Sequence, residues 1–232
     1  ALDITQPVGF PGLFVNSPGN PTGWVMSKEQ QKLLISHTRN LGCWLISDEV
    51  YHQITFNNFV SPSFLQFSNP KDKLIVINSA SKSFNMTGWR IGWITHPEEL
   101  GSHIAKLVQI TTTGVPEFLQ NGLVSALENH KSITNEIRKN LKKSRDIMFD
   151  RLVTWKKVEC SIPEAAFYAF FKVKGIKDSL HFAKKLILET NVGVAPGIAF
   201  GTSGEGHLRI CFAAKESFIN QIMDRLEPVL NR

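Results

Sequence analysis

Lys82 follows a strongly apolar run and comes directly after three small residues, Ser79, Ala80 and Ser81. A lone lysine is usually a surface charge. At the end of a buried strand, however, loss of water favours the neutral, nucleophilic form of an amine. Arg90 lies a short distance further on, and a guanidinium binds phosphate through two parallel hydrogen bonds. This arrangement indicates a nucleophilic amine beside a site for a phosphorylated ligand.

Asp48 ends another apolar run, where an unpaired carboxylate would be costly. Two interpretations are open at this point: the carboxylate caps the following turn, or it faces a positive charge in a ligand. Tyr51 follows in the same stretch and places a phenol near the same strand end.

Four short apolar runs predict the strands that position these residues, over 13–15, 44–47, 74–78 and 89–95. Ser27 predicts the start of a helix that continues to Leu41. Continuous apolar strands separated by helices are typical of a sheet covered on both faces. Ligands bind at the carboxyl ends of such strands, so the polar residues that follow three of these runs are expected to converge.

The second half of the chain has a more helical pattern. We predict helices over 98–113, 116–129, 132–155, 179–190 and 217–230, and short strands over 192–195 and 207–213. An apolar, aromatic segment covers 166–173. The chain is therefore predicted to be α/β, with a large domain over 1–135 and a smaller α+β domain over 136–232.

Composition narrows the classes of function. The three cysteines are widely spaced, which argues against a disulfide framework or zinc site, and the seven histidines show no metal spacing. Cys43 and Cys211 are predicted to be buried thiols in a cytoplasmic protein. The net charge of +6 arises largely between Lys131 and Lys157. We interpret this stretch as the solvated face of a long helix rather than a nucleic-acid surface, because aromatic stacking residues are not interleaved among its basic residues from Lys131 to Arg145. No apolar run is long enough to span a membrane.

Four segments resemble motifs of the class I aminotransferases. Residues 79–92 (SASKSFNMTGWRIG) resemble the lysine signature, and 16–23 (NSPGNPTG) resemble the N-P-x-N-P-T-G loop, with Ser17 where asparagine is common. Residues 47–51 (SDEVY) resemble the D-E-x-Y strand end, and 206–213 (GHLRICFA) resemble the C-terminal arginine segment. The resemblance implies a pyridoxal-phosphate (PLP) transferase of fold type I. It further implies a partial, mostly parallel sheet with flanking helices and a C-terminal α+β domain.

The resemblance also implies residue roles. Lys82 would hold PLP as a Schiff base and later move a proton between the substrate and the cofactor. Asp48 would bind the pyridine nitrogen and keep it protonated. The other cofactor and substrate contacts would come from Tyr51 and Asn20 at the 3′-oxygen, Ser79 and Arg90 at the phosphate, and Asn20 and Arg209 at the substrate. The Asn20–Pro21 bond is expected to be cis. The substrates would be an L-amino acid and a 2-oxo acid, and the full-length protein would be a homodimer.

Full members of this family are considerably longer, and their N-terminal half supplies a ring-stacking aromatic, a phosphate-binding turn and a dimer arm. We therefore expect this chain to be a C-terminal portion with weak or no turnover. Two alternatives use the same cofactor. One is a different fold type I reaction, as in carbon–sulfur lyases or aminocyclopropane-carboxylate synthases, and the other is the PLP-sensing domain of a transcription regulator. Tyr51 after Asp48 and Glu49 favours transamination over the lyases.

Overall fold

The computed structural model describes residues 12–57 and 60–231. These residues form two compact units. The described part of the first unit comprises 12–18, 25–54 and 60–134, and that of the second comprises 19–24, 55–57 and 135–231.

The first unit contains a four-stranded sheet. Its strands are, in spatial order, β1 (Gly12–Asn16), β2 (Trp44–Asp48), β3 (Leu74–Ser79) and β4 (Gly92–Thr95). The β1–β2 and β2–β3 pairs are parallel, whereas β4 is antiparallel to β3, so the sheet is mostly parallel as predicted. The strand predicted over 89–95 starts later, because Thr87–Trp89 form a 3-10 turn and Arg90 adopts a left-handed φ of 54°.

The helix predicted after Ser27 is α1 (Lys28–Leu41). Ser27 Oγ accepts a hydrogen bond from Gln30 N, while Gln30 Oε1 accepts one from Ser27 N, which forms a capping box. Gly42 ends α1 with a left-handed φ of 64°. The later helices that begin in this unit are α2 (Ala80–Ser83), α3 (Gly101–Thr111), α4 (Glu117–Glu128) and α5 (His130–Leu152), the last of which continues into the second unit.

The sheet of the first unit is buried on one face. Leu45, Leu74 and Val76 pack there against Leu34 and Ile35 of α1. The side chains of the other face, here called the open sheet face, are brought together by the strand register, and the apolar ones are Phe14, Trp44, Ile46, Ile75, Ile77 and Ile94.

The open sheet face lacks cover within the described residues. Phe14 is 64% exposed and Ile94 39% exposed. The expectation of a sheet covered on both faces is therefore wrong for this part of the chain. Both faces of the strands are apolar, but among the described residues the helix α1 packs against only one of them.

The described part of the second unit contains an antiparallel sheet, three α-helical segments and two short 3-10 helices, Gly197–Phe200 and Thr202–Gly204. The strands are, in spatial order, β5 (Val158–Cys160), β6 (Tyr168–Val173), β8 (His207–Cys211) and β7 (Ala195–Pro196). The rest of α5 joins α6 (Ser179–Thr190) and α7 (Glu216–Leu230) over a core that includes Phe171 and Leu208. The strand predicted over 192–195 forms only at its last residue, because β7 pairs with β8 over two positions.

The cysteine prediction is half correct. Cys43 is buried, with 7% of its surface exposed. Cys211 is exposed, so the prediction that it is buried is wrong. The reason is the alternation of β8, which places Cys211 and Arg209 on the face away from the core residues Leu208 and Ile210.

The basic stretch forms α5, and several of its charges have acidic partners. Lys142 pairs with Asp146 at 2.7 Å, and Arg151 pairs with Asp224 at 2.6 Å and also with Glu227. This arrangement agrees with the interpretation of a long helix with a solvated charged face. In the described parts of the chain, no helix is long and apolar enough to cross a membrane, and no three potential ligand residues are grouped to hold a metal ion.

Candidate active site

Two adjacent carboxylates at the end of β2 have different surroundings. Asp48 lies two residues after Ile46 and therefore on the open sheet face, and its Oδ1 accepts a hydrogen bond from Val50 N at 3.2 Å. Glu49 is 1% exposed and accepts hydrogen bonds from Ser47 Oγ and Phe64 N, both at 3.1 Å. Glu49 thus fixes the strand end internally, while Asp48 is directed to the open face.

Burial raises the pKa of Asp48 above its ordinary value of 3.8, and the hydrogen bond from Val50 partly opposes this. None of the ion pairs formed among the described residues involves Asp48. A half-buried carboxylate in this position is stabilised by a ligand that brings a positive charge. The capping interpretation is confirmed, and the ligand interpretation is compatible with it.

Tyr51 lies in the turn that follows Asp48. It is 3% exposed, and its carbonyl oxygen accepts a hydrogen bond from Ile54 N at 2.8 Å. The turn therefore holds the tyrosine close to the end of β2 through its own backbone.

Lys82 lies on the one-turn helix α2, directly after β3. Ser79 caps this turn, and its Oγ accepts a hydrogen bond from Ser81 N at 3.1 Å. Ser81 and Ser83 are buried on either side of Lys82, which stays partly exposed. Because Asp48 pairs with Ile77 in parallel strands, Lys82 and Asp48 lie at the same end of the sheet.

Arg90 lies just before β4, at that same end of the sheet. Its Nη1 donates to the carbonyl oxygen of Thr87 at 3.0 Å, and Ala80 N donates to the carbonyl oxygen of Ile91 at 3.2 Å. Ser79 pairs with Gly92 in the β3–β4 ladder. The first unit thus brings together at one sheet end the residues predicted there: Asp48, Tyr51, Ser79, Lys82 and Arg90.

In the second unit, Arg209 and Asn20 are in direct contact. Arg209 Nη1 donates to Asn20 Oδ1 at 2.8 Å, although the two residues are far apart in the chain. The guanidinium carbon of Arg209 lies 4.4 Å from the ring centroid of Tyr168 and 4.7 Å from the ring centroid of Phe200. A guanidinium held in this way has a restricted plane, which suits it to bind a carboxylate in a fixed orientation.

The loop that carries Asn20 is closed by its own backbone. Gly19 N donates to the carbonyl oxygen of Trp24, and Gly23 N donates to that of Gly19. Gly23 has a φ of 69°, and a Cβ there would lie 2.3 Å from Cβ of Pro163. The expected cis bond is present at Asn20–Pro21, and Ser17–Pro18 is also cis.

The aromatic neighbours of Arg209 were not predicted. Tyr168 and Phe170 alternate along β6 with the core residues Ala169 and Phe171, and this alternation marks them as outward-facing. The sequence does not say that β6 pairs with β8, or that the turn carrying Phe200 lies beside that pair. The contacts of Arg209 with Tyr168 and Phe200 were therefore not predicted.

The family profile "Aminotransferase class I and II" matches residues 2–226. The chain belongs to this aminotransferase family. An LL-diaminopimelate aminotransferase of Natranaerobius thermophilus is 34% identical over 92% of this chain and 55% of its own length. An aspartate aminotransferase of Pyrococcus abyssi is 32% identical over 94% of this chain and 57% of its own length. The chain thus spans a little over half the length of these aminotransferases.

Solved aminotransferase structures agree with the fold described above. The aspartate aminotransferase of Thermotoga maritima has a TM-score of 0.85 at 32% identity, over 95% of this chain and 56% of that one. An aminotransferase of Mycobacterium tuberculosis has a TM-score of 0.88 at 31% identity, over 98% of this chain and 59% of that one. These similarities confirm the fold type predicted from the four motifs.

Proposed function

We propose that this chain carries the cofactor lysine and the substrate arginine of a PLP-dependent aminotransferase, which transfers an amino group from an L-amino acid to a 2-oxo acid. The aminotransferase family of the chain supports the class of reaction. The observation that carries the proposal is the placement of Lys82 on the turn after β3, at the sheet end where Asp48 ends β2.

The donor set of the first unit fits PLP. Asp48 would hold the pyridine nitrogen in its protonated form, because the positive charge offsets the burial that raises the pKa of this carboxylate. Ser79 and Arg90 would bind the phosphate, and Tyr51 would donate to the 3′-oxygen. Bound PLP supplies an electron sink for the bonds at the substrate's Cα.

The residues of this chain would then bind the substrate and transfer its Cα proton. The Lys82 amine would take the proton from the substrate's Cα and return it to the cofactor side as general acid and base. Arg209 would bind the α-carboxylate through two parallel hydrogen bonds. Asn20 would orient that guanidinium, consistent with its contact to Arg209 at 2.8 Å.

A covalent labelling experiment tests the assignment of Lys82. The chain is incubated with PLP, reduced with borohydride to trap an imine as a stable amine, digested and mapped by mass spectrometry. We expect the label on Lys82, its loss in Lys82→Ala and its retention in Lys106→Ala, which removes an exposed lysine of α3. A label spread over several lysines, or absent from Lys82, would refute the assignment.

We also propose that the chain by itself turns over weakly or not at all, and that the longer protein is a cytoplasmic homodimer. Asp48 lies on the open sheet face, which lacks cover in the described residues. The expected cofactor position is therefore accessible to water, which weakens the electrostatic interactions of an active site. None of the three cysteines forms a disulfide, which is consistent with a reducing compartment. A steady-state transamination assay on the purified chain would contradict weak turnover if it gave a kcat within the usual enzyme range of roughly 1–1000 per second.

A further inference from the structure

Gly122 lies in the middle of α4 at a position where glycine is unfavourable. Glycine inside a helix costs about 1 kcal/mol relative to alanine. Gly122 has no left-handed φ that would require a glycine. A Cβ at this position would lie 2.4 Å from Cζ3 and 3.0 Å from Cη2 of Trp89. The missing side chain therefore makes space for the outer edge of the Trp89 indole.

Trp89 is the residue immediately before Arg90. Its amide N donates to the carbonyl oxygen of Met86 at 3.1 Å, which closes the 3-10 turn that leads to Arg90. Arg90 then takes a left-handed φ of 54°, a conformation that a non-glycine residue keeps only where its surroundings hold it.

The same turn packs against α4 through an apolar cluster. Met86 and Ile91, on either side of Trp89 and Arg90, pack with Ala126 of α4, and Leu119 and Leu123 border the contact. Trp89 is itself 41% exposed, so its contact with Gly122 is a close approach at the rim of this cluster.

We propose that Trp89 and Gly122 are positioning residues for Arg90, which they fix in the geometry that binds the cofactor phosphate. Trp89 packs the turn against α4, and the missing side chain of Gly122 allows the indole to come this close to the helix. The inference rests on the proposed function for the identity of the ligand, whereas the positioning of the turn itself can be measured without a cofactor.

The first measurement is hydrogen exchange of the backbone amides of 87–95 in the cofactor-free chain. Gly122→Ala favours α4 by helix propensity, yet it should accelerate exchange in this segment by about tenfold, the effect of losing roughly 1.4 kcal/mol of local stability. Trp89→Phe in the Gly122→Ala background should restore slow exchange, because phenylalanine lacks the outer ring atoms that meet the added methyl. Trp89→Ala alone should also accelerate exchange, since it removes the indole that packs against α4 and adds no methyl group at position 122.

Gly101→Ala is the matched control, because its Cβ would meet only His96 Cε1, at 3.8 Å. Exchange of 87–95 should be the same in this variant as in the original chain. Unchanged exchange in Gly122→Ala and Trp89→Ala, or failure of Trp89→Phe to rescue Gly122→Ala, would overturn the proposal.

The second measurement compares the affinities for PLP and for pyridoxal, which lacks the phosphate. Gly122→Ala should lower the preference for PLP by about tenfold and leave the affinity for pyridoxal unchanged, since Arg90 would contact only the phosphate. An equal loss for both ligands would indicate a merely structural role and would overturn the proposal. If the original chain shows no PLP at Lys82, the proposed function fails, and hydrogen exchange alone decides the positioning of the turn.

Discussion

Asp48 combines a structural hydrogen bond with an electrostatic cost. Its Oδ1 caps the turn at Val50, yet burial raises the pKa of its carboxyl. An acid whose pKa is raised in the folded state binds its proton more tightly there than in the unfolded chain. Ionisation of Asp48 at neutral pH therefore opposes folding of the cofactor-free chain. This cost diminishes as the pH falls through the raised pKa, and it is gone below the ordinary value of 3.8.

Replacing this charge is expected to separate stability from cofactor binding. Asp48→Asn should raise the thermal unfolding midpoint of the cofactor-free chain at pH 7, because asparagine keeps the acceptor for Val50 N and removes the charge. The same variant should bind PLP at least about tenfold more weakly, since it loses a charge-assisted hydrogen bond to the ring nitrogen. Differential scanning calorimetry and absorbance titration measure the two effects.

Asp150→Asn is the control for Asp48→Asn, because Asp150 is an exposed residue of α5. It should change neither property. A destabilised Asp48→Asn chain with undiminished PLP affinity would assign Asp48 a purely structural role.

The rings beneath Arg209 provide a second prediction for single residues. Phe200→Leu should weaken amino-acid binding to the PLP-loaded chain by about threefold, because one cation–π contact is worth about 0.5–1 kcal/mol at an accessible site. The shift of the cofactor absorbance during amino-acid titration measures this affinity. Phe218→Leu, an exposed position on α7, should leave it unchanged.

At the scale of elements, α1 is tied to the loop before β3 by a double hydrogen bond. Arg39 Nε and Nη2 donate to the Asp72 carboxylate at 2.8 and 2.6 Å, and Nη2 also donates to the carbonyl oxygen of Phe67 at 3.0 Å. The hydrogen bond from Arg39 lowers the pKa of Asp72. This contact fixes the last turn of α1 over the face of the sheet that it covers.

The contribution of this pair should depend on pH in a defined direction. Because the pKa of Asp72 is lowered on folding, its carboxylate stabilises the fold above the ordinary pKa of 3.8, and this contribution is lost as the pH falls through the lowered value. Asp72→Asn should therefore cost about 0.5 kcal/mol at pH 7, since the Arg39 side chain is 38% exposed and water screens the pair. Urea unfolding should show this difference shrinking below pH 3.8.

Glu128→Gln serves as the control for Asp72→Asn, since Glu128 is exposed at the end of α4. It should show little change at either pH. A penalty for Asp72→Asn that stayed constant from pH 7 to below pH 3.8 would mean that shape rather than charge carries the contact.

At the scale of the whole chain, the open sheet face is the main exposed apolar surface of the first unit's sheet. Phe14 is 64% exposed there, and contiguous apolar patches promote association. We expect the purified chain to self-associate with concentration, and Phe14→Lys to weaken this association by about tenfold through one unfavourable buried charge. Sedimentation velocity measures the effect.

Leu188→Lys is the matched control for Phe14→Lys. Leu188 is 83% exposed on α6, in the second unit, and so lies outside the open sheet face. Equal effects of the two lysines would show that general charge, and not this face, governs association.

Much of the fold could be predicted from local sequence signals. The capping box at Ser27, the four apolar runs and the polar residues after them identified α1, the strands and the sheet end that carries Lys82, because caps and strand ends depend on nearby residues. The same locality explains the failures: the start of β4, the short β7 and the exposure of Cys211 depend on which strand pairs with which.

The sequence by itself determined the family and the proposed roles of Lys82 and the residues grouped with it, since both rest on residue types at fixed spacing. Only the tertiary structure decided that the indole of Trp89 lies against Gly122, that Arg209 lies over Tyr168 and Phe200, and that Asp48 is directed to an open sheet face. These arrangements follow from strand register and packing, which no local pattern contains.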